Sequence, residues 1–458
     1  MKRILLFVLL FTATWEFSVA KQADSSQDLA TSYRSAADQI IEAALADSAA
    51  WNRLAYLTDT FGPRFSGSPN LELAIDWILE AMKADGLENV RGETVMVPHW
   101  IRGEESLQIL SPHNRKLQIL GLGGSVGTGP NGLTGEVFVV NSYDDLEANK
   151  AKAVGKIVLW NVPFTSYGAT GAYRRNGAVK AAQAGAIASL VRSITPMSLY
   201  TPHTGSSTYE DGVARIPHAA VTIEDAMMMQ RMQDRGQKIS VRLTLDDVML
   251  PDAPSRNVVG ELVGSEFPDE VIVFGGHIDS WDVGTGAMDD AGGCVAAWEA
   301  LRIMKQLGLR PKRTIRVVMW TNEENGTRGG EGYRDAHLAE LDNHILAIES
   351  DGGVFAPIGF GFSGSEAALA TVTQIGKLLN KINSGTITAG GGGADIGPIM
   401  SLGVPGMGLN VDGSKYFDYH HTNADYVDKL DPVEVAKSVA TMGVMAFVVA
   451  DMQQRLPR

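Results

Sequence analysis

From Pro251 to its C terminus, the chain alternates short apolar runs with segments of helical periodicity, and polar side chains follow the apolar runs. Regular alternation of this kind predicts a sheet with substantial parallel character, covered by helices on both faces. In such sheets, ligands bind beyond the carboxyl ends of the strands. The predicted strands are residues 271–274, 314–320, 344–348 and 404–409, and the predicted helices are residues 291–307, 366–379 and a last helix opened by Asp431-Pro432.

Acids and histidines follow four of these predicted strands. Taken singly, a histidine at a strand end is usually structural, a Glu-Glu pair is usually a solvated loop, and Asp289-Asp290 could simply cap a helix. Their convergence on one rim of the sheet is what predicts a metal site. The candidates, in chain order, are His277, Asp289, Glu323, Glu324, Asp351 and His421.

The chemistry of these candidates suits two divalent cations held close together. Two cations about 3.5–4 Å apart repel strongly and need a shared anionic ligand, for which Asp289 is the candidate. His277 and Asp351 would complete one ion, and Glu324 and His421 would complete the other. Nitrogen and oxygen ligands without a thiolate fit zinc best, so we expect two Zn²⁺ per chain, although manganese or cobalt could substitute.

Residues beside the candidate ligands are expected to have supporting roles. Glu323 is the candidate general base, which would take a proton from an activated water and pass it to a leaving amine. Asp279 is expected to orient the His277 imidazole as a hydrogen-bond acceptor, with surface solvation as the alternative. His420 either donates to a developing oxyanion or packs beside His421.

Composition excludes several classes of function. A net charge of −14 argues against nucleic-acid and anionic-membrane partners, because phosphate binding needs basic patches.

Residues 1–20 are typical of a secretory signal, with a retained anchor as the alternative. No membrane span is expected in the mature chain, and the apolar run at residues 439–450 is expected to be a buried helix. The single cysteine, Cys294, permits no intrachain disulfide and is expected to be buried in a helix, with a catalytic thiol as the alternative.

The length of 458 residues predicts about two to three domain-sized units. The glycine-rich run at residues 120–132 is interpreted as a hinge into another domain that contains short strands. We therefore expect a signal at residues 1–20, a catalytic domain formed by residues 21–116 and 249–458, and an inserted domain at residues 117–248.

The motifs GGHIDSWDVGTGAMDDAGG, VVMWTNEENG, ESDGG and YHHTNAD resemble those of the co-catalytic di-zinc aminopeptidase superfamily, and FGPRFSGS at residues 61–68 extends the likeness. The resemblance implies an α/β fold with a mixed, largely parallel sheet sandwiched by helices, and an inserted protease-associated domain. The family pattern His-Thr/Ser-x-x-Asp assigns His421 rather than His420 as a ligand. The implied ligands are His277, Asp289, Glu324, Asp351 and His421, with Glu323 as the base.

The likeness is strongest to a branch of secreted homodimers that hydrolyse unblocked dipeptides. It implies a short peptide substrate, a homodimer, and a secreted or periplasmic location, or a lysosomal one in a eukaryote. Two alternatives are a one-zinc scaffold for glutaminyl cyclisation and a non-catalytic receptor. The presence of all five candidate ligands argues against the first, and the presence of Glu323 and His277 argues against the second. Tyr426, where the superfamily usually has Thr, and the glycine-rich residues 390–393 put the choice of substrate in doubt.

Overall fold

The computed structural model describes residues 29–458 except Ser198, so the predicted signal at residues 1–20 lies outside the described residues. The described strands are β1 Glu88–Ile101, β2 Glu105–Ser111, β3 Arg115–Leu117, β4 Ile119–Gly121, β5 Leu133–Val140, β6 Ile157–Trp160, β7 Ala188–Arg192, β8 His218–Val221, β9 Ser240–Leu245, β10 Val248–Leu262, β11 Phe267–His277, β12 Arg313–Trp320, β13 His344–Glu349, β14 Pro357–Ser363, β15 Thr386–Ala389 and β16 Gly406–Val411. The described α-helices are α1 Leu29–Ser32, α2 Arg34–Ala46, α3 Ala49–Phe61, α4 Pro69–Ala84, α5 Tyr143–Ala148, α6 Lys150–Ala153, α7 Tyr167–Gln183, α8 Ile223–Asp234, α9 Gly292–Gln306, α10 Arg328–Ala336, α11 Glu366–Gly376, α12 Gly397–Met400, α13 Tyr416–Tyr419 and α14 Pro432–Asp451.

The first sheet has the strand order β1-β10-β12-β11-β13-β16-β14-β15. Its centre is parallel, because β11 pairs in parallel with β12 and β13, and β13 pairs in parallel with β16. Antiparallel pairs, β1–β10, β10–β12 and β14–β16, lie toward the edges. The expectation of a mixed, largely parallel sheet between helices is thus confirmed. The parallel centre brings the carboxyl ends of β11, β12, β13 and β16 to one edge.

Central strands of this sheet are covered on both faces. Every residue of β12 is buried, as expected for a strand between two layers of helices. One face packs against α9 and α14, and the other packs against side chains from α10 and α12. Cys294, in α9, is buried and free, which confirms its expected place in the core.

Helix α14 closes the core of the first sheet. Its length and composition would suffice to cross a membrane, but 83% of its apolar window is buried within the protein. The helix starts at Pro432, and the Asp431 carboxylate accepts the N–H groups of Val433 and Glu434. The expectation of a buried helix near residues 439–450 is confirmed.

Some local expectations were wrong. The Ser68 hydroxyl caps helix α4 by accepting the N–H of Leu71, and Pro69 occupies the first helical position, where no backbone N–H needs a partner. The strand expected at residues 404–409 lies at Gly406–Val411. The antiparallel ribbon β1–β10 was not expected. Much of β1 is only partly buried, so it has no continuous apolar run to mark it as a strand.

The second sheet has the order β3-β2-β9-β5-β6-β7-β8-β4 and is covered by its own helices. It begins at Glu105 rather than at residue 117, because β2 pairs with both β3 and β9. We call residues 105–245 the inserted unit and the rest of the described chain the catalytic unit. The glycine-rich run expected to be a hinge lies within the inserted unit, where a Cβ at Gly123 would come 2.2 Å from the Trp281 ring.

Candidate metal centre and active site

His277 is the last residue of β11, and both of its ring nitrogens have defined neighbours. Nδ1 lies 2.9 Å from the carbonyl oxygen of Asp279. Nε2 lies 3.2 Å from Oδ1 of Asp289 and 3.2 Å from Oδ1 of Asp351. A proton on Nδ1 that is donated to the carbonyl leaves Nε2 free to bind a cation beside two carboxylates.

Asp279 supports the site differently from the expectation. Its backbone carbonyl orients His277, while its carboxylate lies farther away, with Oδ1 3.8 Å from Nδ1 of His277. The carboxylate instead accepts the backbone N–H groups of Glu323 at 3.0 Å and Glu324 at 3.3 Å. Asp279 is fully buried, so surface solvation does not apply. It therefore ties the loop after β12 to the loop after β11.

The histidine doublet stands on the opposite side of Asp289. Nε2 of His421 lies 3.0 Å from Oε2 of Glu324 and 3.4 Å from Oδ2 of Asp289. His420 stacks on His421 with ring centroids 3.5 Å apart, and its Nε2 also lies 3.4 Å from Oδ2 of Asp289. The ring of Tyr167, from the inserted unit, meets His420 edge-on at 5.0 Å.

The adjacent acids Asp289 and Asp290 divide two roles between them. Asp289 lies between His277 and His421. Asp290 caps α9, since its carboxylate accepts the N–H of Gly293 at 3.0 Å and the N–H of His277 at 3.1 Å. The helix-cap reading therefore holds for the second acid of the pair and not for the first.

The structure brings all six sequence-predicted residues to one place. The ligand-type atoms of His277, Asp289 and Glu324 lie within 4.8 Å of one another, as do those of Asp289 with the histidine doublet. Asp351 joins His277 through the 3.2 Å contact. The ligand-type atoms of His277, Asp290 and Asp351 also lie within 4.8 Å of one another, although Asp290 already caps α9.

Two supporting residues were not found from the sequence. Asp425 accepts the backbone N–H groups of Met288 at 2.8 Å and Asp289 at 3.2 Å, so it positions the central acid. Arg64 is fully buried and donates four hydrogen bonds to carbonyl oxygens. Their partners are backbone groups, which no sequence pattern identifies. The family resemblance was the only signal for them, because both residues lie inside motifs that carry it. The carbonyls that accept from Arg64 belong to Gly62, Ile278, Thr285 and Gly286.

The site holds more negative charge than its histidines balance. Burial and the charge of Asp351 raise the pKa of Glu323 well above its ordinary range. Burial and the charge of Asp289 raise the pKa of Glu324 to about 7. Oδ2 of Asp289 and Oε1 of Glu324 are buried without a hydrogen-bond partner. Cations bound among these oxygens would relieve both the repulsion and the missing contacts, so the residues present fit a two-metal centre.

A cavity of about 410 Å³ opens onto this cluster at the junction of the two units. The catalytic unit contributes the acids and the histidine doublet together with Tyr416 and Phe417. The inserted unit contributes four of the lining residues, which are Tyr167, Arg174, Arg175 and Ser206. Apart from the histidines, its two arginines are the basic side chains among the described residues that line the cavity.

Comparison with known proteins agrees with this geometry. Residues 257–446 match peptidase family M28. Carboxypeptidase Q of Bos taurus is 48% identical over 413 residues, which cover 90% of this chain and 88% of that protein. The solved structure of a peptidase M28 precursor from Shewanella amazonensis SB2B is 34% identical, has a TM-score of 0.89, and is covered over 99% of its chain and 93% of this one. BSAP, a zinc aminopeptidase from Bacillus subtilis, shares the fold at 20% identity, with a TM-score of 0.67 and coverage of 89% of this chain and 96% of that chain. The chain therefore belongs to peptidase family M28, among the carboxypeptidase Q proteins, and is a metallo-exopeptidase.

Proposed function

We propose that this enzyme hydrolyses short unblocked peptides, above all dipeptides, with a water activated by two zinc ions and with Glu323 as the general base. One observation carries the proposal. A single cavity of about 410 Å³ combines the candidate ligands with Glu323 and two guanidinium groups. That volume lies near the lower end of the roughly 300–1,000 Å³ typical of small-molecule sites, which favours a short substrate.

The five candidate ligands divide between two ions. His277 and Asp351 would hold one, Glu324 and His421 would hold the other, and Asp289 would be shared. Bound zinc supplies Lewis acidity, which makes water nucleophilic near neutral pH and stabilises negative charge on a substrate carbonyl.

Glu323 moves the protons of the reaction. Oδ1 of Asp279 accepts its backbone N–H at 3.0 Å, which fixes the start of the loop, and Glu323 lines the cavity. Its carboxylate takes a proton from the attacking water and passes it to the nitrogen of the leaving amine.

Replacing Glu323 by Gln tests this role. General acid–base catalysis contributes about 10²–10⁴-fold, so kcat/KM for a dipeptide should fall by that factor while zinc content stays near two per chain. Glu331→Gln, in the first turn of α10, is the matched control and should leave both quantities unchanged. Loss of zinc from the Glu323→Gln variant would show that Glu323 is wrongly assigned as the base.

A panel of dipeptides, blocked dipeptides and longer peptides tests the activity itself. The proposal expects turnover of unblocked dipeptides by the zinc-loaded wild type. Failure to cleave any dipeptide would favour a non-catalytic receptor. One zinc per chain, with cyclisation of an N-terminal glutamine, would favour the glutaminyl cyclase alternative.

Arg175 is the candidate to bind the free carboxylate of the substrate. Arg174 already donates to the carbonyl of Thr204 at 3.0 Å and to the hydroxyl of Tyr167 at 2.6 Å. Arg175 has a weaker contact, with Nη2 lying 3.4 Å from the carbonyl of Gly168. A guanidinium of the inserted unit that lines the same cavity as the acids would orient a peptide with its carboxyl end toward the inserted unit.

Amidated dipeptides test this orientation. Hydrogen bonds to charged groups contribute about 1.5–3 kcal/mol, so the wild type should prefer the free carboxylate over the amide by about 10–100-fold in kcat/KM. Arg175→Met should lose that preference, whereas Lys180→Met, on the same helix α7, should keep it. An unchanged preference in Arg175→Met would show that Arg175 does not bind the substrate carboxylate.

We also propose, from the family likeness, that the enzyme is exported after removal of residues 1–20, that it is a homodimer, and that the inserted unit is a protease-associated domain. N-terminal sequencing of the exported protein tests the cleavage, and sedimentation equilibrium tests the oligomeric state. A monomer, or a retained N terminus, would contradict the corresponding part.

A further inference from the structure

The loop at residues 204–206 of the inserted unit binds the backbone of two candidate ligands. The N–H of Thr204 donates to the carbonyl of His421 at 2.9 Å, and the carbonyl oxygen of Thr204 lies 3.2 Å from Nδ1 of His421. The hydroxyl of Ser206 donates to the carbonyl of Glu324 at 2.7 Å. Thr204 and Ser206 therefore contact Glu324 and His421, which are assigned to one ion. These bonds do not involve His277 or Asp351, which are assigned to the other ion.

The Thr204 carbonyl is the natural partner of Nδ1 of His421. An imidazole that binds a cation through Nε2 carries its proton on Nδ1 and donates it to an acceptor. Nη1 of Arg174 also lies 3.4 Å from Nδ1, but a guanidinium can only donate. Arg174 instead donates to the Thr204 carbonyl at 3.0 Å and so holds the acceptor of His421 in place.

The loop is packed tightly enough to act as a rigid support. Thr204 is fully buried, and its hydroxyl donates to the carbonyl of Gly121 at 2.8 Å. Gly205 has a φ of +135°, and a Cβ there would come 2.3 Å from Cζ of Arg174. Only glycine therefore allows the loop, the guanidinium and His421 to approach one another this closely.

We propose that residues 204–206 position His421 and Glu324 and thereby set the affinity of one of the two metal sites. The inference rests on the proposed two-zinc function. The other site has its corresponding support within the catalytic unit, because the carbonyl of Asp279 fixes Nδ1 of His277. The packing of the inserted unit against the catalytic unit thus sets the metal affinity only of the site formed by Glu324 and His421.

Ser206→Ala tests the proposal by removing the bond to the Glu324 carbonyl. Ser207→Ala is the matched control, because the Ser207 hydroxyl lies 3.1 Å from Nδ1 of His218 within the inserted unit. The readout is the stepwise zinc affinity of the full chain, measured by competition with a chelator. Loss of an outer partner typically costs 10–100-fold in metal affinity, so Ser206→Ala should weaken one zinc step about tenfold and leave the other unchanged.

Gly205→Ala is the stronger perturbation, and one zinc step should weaken by about 100-fold. If that variant does not fold, Ser206→Ala still decides the matter. Equal weakening of both steps in Ser206→Ala, or identical affinities in the Ser206→Ala and Ser207→Ala variants, would overturn the proposal. A wild type that binds fewer than two zinc ions would instead refute the proposed function on which it rests.

Discussion

Replacing Arg64 should destabilise the segment that joins two candidate ligands. Its guanidinium donates to four backbone carbonyls, three of which belong to residues 278–286, between His277 and Asp289. Bonds from a charged donor contribute about 1.5–3 kcal/mol each. If solvent and backbone relaxation recover two of the four, Arg64→Met should still lose about 3–6 kcal/mol, a large share of the roughly 5–15 kcal/mol that stabilises a typical protein.

Urea unfolding of the metal-free protein measures this loss without a contribution from bound ions. Amide hydrogen exchange over residues 278–289 reports whether the opening is local. Arg64→Lys keeps the charge but not the planar fork of donors, so its loss should lie between the wild type and Arg64→Met. An unfolding free energy of Arg64→Met within about 1 kcal/mol of the wild type would contradict this prediction, since that difference is less than the contribution of one such bond.

Two further predictions concern charged groups. Asp289→Ala should lose both zinc ions, because Asp289 is the proposed shared ligand. Asp290→Ala should mainly lose stability, because Asp290 caps α9. Retention of two ions by Asp289→Ala would show that Asp289 is not shared between them. Burial, reinforced by the charge of Glu105, raises the pKa of Asp247 from 3.8 to about 7. The folded protein therefore binds more protons than the unfolded chain between those values, and stability falls as pH rises through that window. Asp247→Asn should reduce this fall and be more stable than the wild type at pH 8, as measured by urea unfolding, and an unchanged pH profile would contradict it.

The candidate site was largely predictable because its signal is local. A buried strand such as β12 shows as an apolar run, and the rule for parallel sheets places the residue that follows it at the binding edge. Glu323, Glu324 and His277 could be found in this way. Arg64 and Asp425 could not, because they bind backbone N–H and C=O groups that tertiary folding brings to them and that no sequence pattern distinguishes.

The boundary of the inserted unit shows the same limit. Strand β2 belongs to the second sheet because Glu105 to Ser111 pair with residues of β9, far along the chain. A pairing this distant leaves no local pattern in the sequence, so the sequence predicts the junction near the glycine-rich run at residues 120–132. The role of Thr204 and Ser206 beside the catalytic unit was likewise hidden, since it depends on how the two units pack together.

In the proposed centre, two cations bind on either side of Asp289. Anomalous scattering at the zinc edge, from crystals of the zinc-loaded wild type, would locate both ions. We predict two peaks about 3.5–4 Å apart, one beside His277 and Asp351 and the other beside Glu324 and His421. A single peak, or two peaks that do not share Asp289, would contradict the account.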